Sequence, residues 1–142
     1  MSKDNDAESA ADLVFERPKL MPPRNKGGMW ELVNDWSLFY RGEVYRIPAG
    51  FKTDGASIPR FLWRVCGTPL AVPRIYAAIV HDWLYSGGDI RVSRAEADAI
   101  YRDLQIALGV SRFKAFIEWG ALRLCGRSHW YENTKQKEGQ DE

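Results

Sequence analysis

Cysteine is scarce, with Cys66 and Cys125 the only two in 142 residues. Two thiols make no disulfide framework, so a reducing compartment is the simpler expectation. A pair between them needs two helix ends to meet. No apolar run approaches the roughly 20 residues needed to span a bilayer. The N-terminal stretch MSKDNDAESAADL is polar and acidic, without a basic start leading into an apolar core, and does not read as a signal peptide. Neither sign of charge dominates. At a formal net charge of +1, bulk electrostatics lend no support to a polyanionic partner, and no nucleic acid is expected. These absences predict a soluble protein made and kept inside a cell.

Aromatic residues are plentiful: 13% of the chain is Phe, Trp or Tyr, including six tryptophans. With 45% hydrophobic and 27% charged residues, the composition is globular, and the length suits one domain with a real core. Trp30, Trp36, Trp63 and Trp119 read as core or sheet-face packing rather than a ligand cage.

Residues 1 to about 27 carry charges, Pro18, Pro22, Pro23 and Gly27-Gly28, with little periodicity, and predict a flexible arm. Residues from about 132 to 142 predict a polar tail, leaving one domain over about 28–131. From Met29 to Phe51 the runs MWELV, WSLFY and EVYRI, punctuated by Asn34-Asp35 and Arg41-Gly42, predict two or three antiparallel strands. Pro48-Ala49-Gly50 then ends the sheet, and FKTDGASIPR reads as a loop. Helices follow. A short one is expected over Arg60–Val65, and a longer one starts at Pro73 and runs to about Tyr85, ended by Ser86-Gly87-Gly88. Ser93 with Glu96 forms a capping box opening a helix to Leu108, with Gly109 at its end. Ser111 caps a last helix to about Cys125, stopped by Gly126. The expected class is α+β, a small N-terminal antiparallel sheet followed by three to four helices.

The chemistry-bearing residues cluster in HDWLY (His81, Asp82, Tyr85) and in SRAEADAIY (Asp98). His81 and Tyr85 lie one helical turn apart on one face, within reach of a carboxylate from the next helix. Two readings stay open: a base, a metal ligand and an orienting acid, or only a satisfied polar seam. Ile79, Val80 and Leu84 surround His81, so it can equally be a core histidine held by one hydrogen bond. Asp82 points about 100° away from it and needs its own partner. Asp98 either partners His81 or forms a surface bridge with Arg94 and Arg102, four residues to either side. In Thr53-Asp54-Gly55-Ala56-Ser57, Gly55 permits a backbone that turns carbonyls or amides inward, while Asp54 and Ser57 can simply cap a turn. A Ser57/His81/Asp98 nucleophilic triad lacks the nucleophile-elbow pattern. His129, beside the tail, reads as structural. Arg60, Arg64 and Arg74 form no clear patch, and no apolar, basic-rimmed lipid surface is evident.

IPAGFKTDGASIPRFLW, AAIVHDWLY and SRAEADAIYRDL, in that order and spacing between about Trp30 and Trp130, resemble the phage-associated domain-of-unknown-function family 1353. That resemblance implies a phage or prophage gene, and so a place in the host cytoplasm or packaged in the virion. It supplies no activity. His-Asp-x-x-Tyr on one helix followed by Ala97-Asp98-Ala99-Ile100-Tyr101 on the next also resembles the catalytic helix pair of phospholipase A₂ enzymes. This second resemblance implies His81 as the general base activating water, Asp98 holding its tautomer and Tyr85 bonded to Asp98. It further implies calcium held by Asp82 with the loop around Asp54 and Gly55, carbonyls included, and with Thr53 and Ser57 nearby. The expected partner is then a phospholipid surface. The contrasting expectation is a non-enzymatic virion-assembly or host-factor-binding protein, in which the same residues fix helix packing. A catalytic seam has to open beside the Thr53–Ser57 loop, whereas a structural one is closed over by Trp63 or Trp83.

Overall fold

The computed structural model describes residues 13–25, 28–54 and 72–132. The chain divides into two compact units, residues 1–54 and 55–142, each described by itself. The class is α+β: antiparallel strands in the first unit and helices in the second.

In the first unit, β4 (Trp36–Tyr40) alternates strictly, burying Trp36, Leu38 and Tyr40 and exposing Ser37 and Phe39. A period of two is what a half-buried strand requires. β5 (Glu43–Ile47) pairs with it antiparallel through a two-residue turn, and Arg41 and Gly42 both have positive φ, 48° and 81°. That is the requirement of a type I′ hairpin, whose twist suits the flanking strands. β1 (Leu13–Phe15) pairs with the other edge of β4, giving the order β1-β4-β5. A second three-stranded sheet has the order β2-β3-β6, from Leu20–Met21, Trp30–Leu32 and Lys52–Thr53. The Trp36 indole donates to Glu16 O at 2.7 Å, and Asp35 Oδ1 accepts from Ala49 N at 2.8 Å.

The strand content therefore exceeds the expected two or three. β1 and β2 lie within the stretch read as an arm, and β6 lies within the stretch read as a loop. Strands of two or three residues are too short to show a period, and their backbone pairing, not their own pattern, defines them.

In the second unit, α1 spans Val72–Tyr85, α2 Arg94–Ala107 and α3 Arg112–Cys125, followed by a 3₁₀ turn, Gly126–His129. The boundaries follow the local signals. Ser93 Oγ accepts from Glu96 N at 3.2 Å and Ser111 Oγ from Lys114 N at 3.3 Å, each satisfying an orphan donor of a first turn. Leu108 is the C-cap of α2, one residue before the expected Gly109, and Gly126 caps α3. α2 is the central helix, packed against α1 and α3. Ile79, Val80 and Leu84 of α1 and Ile100 and Leu104 of α2 are fully buried, as are small residues such as Ala97 and Ala115. Among the described residues no helix is long and apolar enough to cross a membrane. Cys125 is an exposed free thiol; Cys66 and the helix expected over Arg60–Val65 lie outside the described residues.

Because Ser93 starts the helix that carries Asp98, Ser93→Ala is expected to cost about 1 kcal/mol of stability. Urea unfolding followed by helical circular dichroism measures it, and Ser93→Asp should restore most of the loss.

Candidate functional site

His81 and Tyr85 sit one turn apart on α1, and Asp98 faces them from α2. His81 Nε2 lies 2.9 Å from Asp98 Oδ1, and the Tyr85 hydroxyl donates to the same oxygen at 2.6 Å. Arg123, at the end of α3, donates to Asp98 Oδ2 at 2.9 Å, and Arg94 lies 3.7 Å from that oxygen. Asp98 is 0% exposed and His81 3% exposed. The surface bridge open to Asp98 is thus replaced by a buried one; Arg102 pairs instead with Asp103 at 3.1 Å.

Burial is the largest single influence on Asp98 and works to raise its pKa. The hydrogen bonds from His81, Tyr85 and Arg123, with the charge of His81, outweigh it and hold the carboxyl below the usual carboxylate range. An ionised carboxylate only accepts, so the hydrogen between His81 and Asp98 belongs to Nε2. In the neutral imidazole the lone pair then sits on Nδ1, which is buried and has no partner among the described residues. For Tyr85, burial first and then the hydrogen bond and charge of Asp98 push the phenol well above its ordinary range. It therefore remains a donor throughout the neutral range.

Three further residues hold this cluster. Arg94 donates to the carbonyls of Leu122 and Arg123 at 3.1 and 3.2 Å, placing a cation on the C-terminal turn of α3. The Trp130 ring meets Tyr85 edge-on, with centroids 5.2 Å apart. Gly126 abuts the Tyr85 hydroxyl so closely that a methyl group there would lie 2.7 Å from it. Sequence reasoning missed Arg123, Trp130 and Gly126, because each is distant in sequence and no local spacing connects them to His81.

A second buried polar layer was missed as well. Arg74 Nε lies 2.9 Å from Glu118 Oε1, an ion pair by distance though not aligned as a hydrogen bond. Gln105 donates to Glu118 Oε2 at 2.6 Å. Burial pushes the Glu118 carboxyl up, while Arg74 and Gln105 pull it back only in part. The available signal was a lone acid inside the apolar run FIEWGAL.

Of the residues expected at the metal (Asp82, Asp54, Gly55) and around it, Asp82 is half-buried on α1. Thr53, buried, and Asp54, exposed, belong to the first unit. Gly55, Ser57 and Trp63 lie outside the described residues. Among the described residues no three His, Cys, Asp or Glu side chains are grouped to hold a metal ion. Trp83 is buried, and His129 is exposed on the 3₁₀ turn.

Tyr85→Phe removes one hydrogen bond to a charged group and is expected to cost about 1.5–3 kcal/mol in urea unfolding. Gly126→Ala should destabilise by displacing the Tyr85 hydroxyl, and Tyr85→Phe in that background should then cost less than in the wild type. A depressed folded-state pKa makes the Asp98 contribution present above about pH 4 and lost as pH falls further. Asp98→Asn should lack that acid step in a stability–pH profile.

Comparison with known proteins gives a family and no activity. Two uncharacterized proteins of Sinorhizobium fredii are similar to part of the chain. One, y4iH, is 39% identical over 75 residues, which is 53% of this chain and 30% of that protein. The other, y4jT, is 34% identical over 56 residues, 39% of this chain and 17% of that protein. The matched stretches thus span less than a third of either relative. No solved structure matches the chain significantly. The model of the family described as "Protein of unknown function (DUF1353)" matches residues 30–122. That match covers well over half of the sequence and includes His81, Tyr85 and Asp98, so the chain belongs to the DUF1353 family.

Proposed function

We propose that His81 is the general base of a hydrolase acting on a lipid ester, with Asp98 as the residue that positions it. The observation that carries this reading is the division of labour between the imidazole nitrogens. Nε2 is committed to Asp98, and Nδ1 is buried without a partner among the described residues. Buried polar atoms are nearly always satisfied, so an exception calls for a role. A lone pair aimed away from the orienting carboxylate is what a water-activating base requires.

The chemistry follows from those positions. Nδ1 takes a proton from water as the water oxygen bonds to the ester carbonyl carbon. Asp98, still a carboxylate, stabilises the imidazolium that forms. The imidazolium returns the proton to the leaving alkoxide as the carbon–oxygen bond breaks. The phospholipase resemblance adds calcium held by Asp82 with carbonyls around Gly55, and none of these steps passes through it. The phage-associated resemblance supplies the proposed setting, disruption of a cell envelope by a phage or prophage product.

The burial of His81 favours a second reading: a closed polar network that fixes helix packing in a non-enzymatic virion-assembly or host-factor-binding protein. Hydrolysis of a short-chain phospholipid separates the two. Under the hydrolase reading the wild type turns over, and His81→Gln lowers kcat by roughly 10²–10⁴ while the fold is kept. A wild type without turnover on phospholipid or simple esters, combined with marked destabilisation of Asp98→Asn, supports the structural reading instead. Calorimetric titration with calcium, comparing wild type with Asp82→Asn, tests the metal independently. Binding that the substitution abolishes is expected.

A further inference from the structure

Helix α3 buries Ala115, Glu118, Ala121 and Leu122 and packs on α2, and among the described residues its other side carries exposed side chains. On that side Phe113 is 73% exposed, Leu124 is 86% exposed and Phe116 is about half exposed. At 100° per residue, positions 113, 116, 120 and 124 fall within an arc of roughly 80°. They form a stripe, not scattered single side chains, and an aligned apolar stripe marks an interaction surface. Gly120 lies in the middle of it, where a methyl group would meet nothing within 4 Å.

Charge selects the occupant. Arg112, Lys114 and Arg127 are exposed along the same helix and its 3₁₀ extension. Between Arg112 and Arg127 the only acid is Glu118, which is 0% exposed. Arg102 of α2, whose charge Asp103 already matches at 3.1 Å, lies with its guanidinium 5.0 Å from the Phe116 ring centre and 5.3 Å from that of Trp119, so the net positive charge of this side comes from α3 itself. The side of α3 turned to solvent is thus aromatic, aliphatic and cationic. A second copy of the chain would bring these cations against one another in a two-fold pairing. An anionic bilayer meets both requirements, taking the apolar side chains among its acyl chains and the cations at its phosphates.

We propose that the outer side of α3 docks on membranes rich in anionic phospholipid, with Phe113, Phe116 and Leu124 as the inserting residues. Its biological sense rests on the lipid-ester reading of His81, whereas the docking itself requires no chemistry there. The surface was not evident in the sequence because phenylalanine and leucine at helical spacing read as core until the packed side of the helix is known.

The test is co-sedimentation of the full chain with vesicles, one set of phosphatidylglycerol with phosphatidylcholine and one of phosphatidylcholine alone. Wild type, the Phe113→Ser/Leu124→Ser double variant and His81→Gln are compared, with circular dichroism to verify folding. Wild type and His81→Gln should bind the anionic vesicles alike, more weakly at high salt. The double variant should bind at least about tenfold more weakly, since two large apolar side chains no longer insert. No binding to anionic vesicles, equal binding to both compositions, or undiminished binding by the double variant overturns the proposal. So does a wild-type dimer that the double variant converts to monomer in light scattering, because a second copy then covers the stripe. Vesicle binding without ester cleavage would sink the hydrolase reading and leave the docking intact; cleavage of a dispersed ester without vesicle binding would do the reverse.

Discussion

The helical unit depends on a carboxylate that stays ionised without touching solvent. Asp98 is fully buried, and its two oxygens accept from His81 and Tyr85 of α1 and from Arg123 of α3. One side chain of the central helix thereby ties the other two to it. Stripping the charged partner from a buried ion pair costs about 3–5 kcal/mol in comparable cases; here the charge is shared among several donors, so the loss of one neutral donor costs less. The surrounding details serve the same end: Gly126 leaves room for the Tyr85 hydroxyl, and Arg94 fastens the end of α3 that presents Arg123.

Asp98 and Glu118 are both acids at 0% exposure, yet their environments push them in opposite directions. Three donors within hydrogen-bond distance offset the burial of Asp98. Glu118 has one aligned donor, Gln105, and an ion pair with Arg74 that is not aligned as a hydrogen bond. The signs of their pH linkage are therefore opposite. The Asp98 contribution is lost toward acid, whereas a raised carboxyl such as Glu118 favours the fold below its unfolded pKa and loses that contribution as pH rises through its folded value.

Legibility in the sequence tracked the range of each interaction. The helix ends at Ser93, Ser111 and Gly126 were readable because a cap is a contact within three or four residues. The shared face of His81 and Tyr85 was readable from their four-residue spacing, whereas Asp98 stayed open between His81 and a surface bridge until the packing of the next helix was known. Arg123 was not, since it reaches Asp98 from 25 residues away. β1 and β2 escaped notice because strands this short exist through their partners β4 and β3. The Arg74–Glu118 pair shows the same limit, joining α1 to α3 across the sequence of a whole intervening helix.

Proton placement on His81 is the point on which the chemistry turns, and long-range ¹H–¹⁵N correlation NMR of the imidazole measures it. The predicted result for the uncharged ring is a hydrogen on Nε2 and a bare Nδ1, shifting in Asp98→Asn toward a mixture of tautomers. A hydrogen on Nδ1 with Nε2 bare in the wild type would contradict the account, because Asp98 would then not be the ionised acceptor that orients the ring.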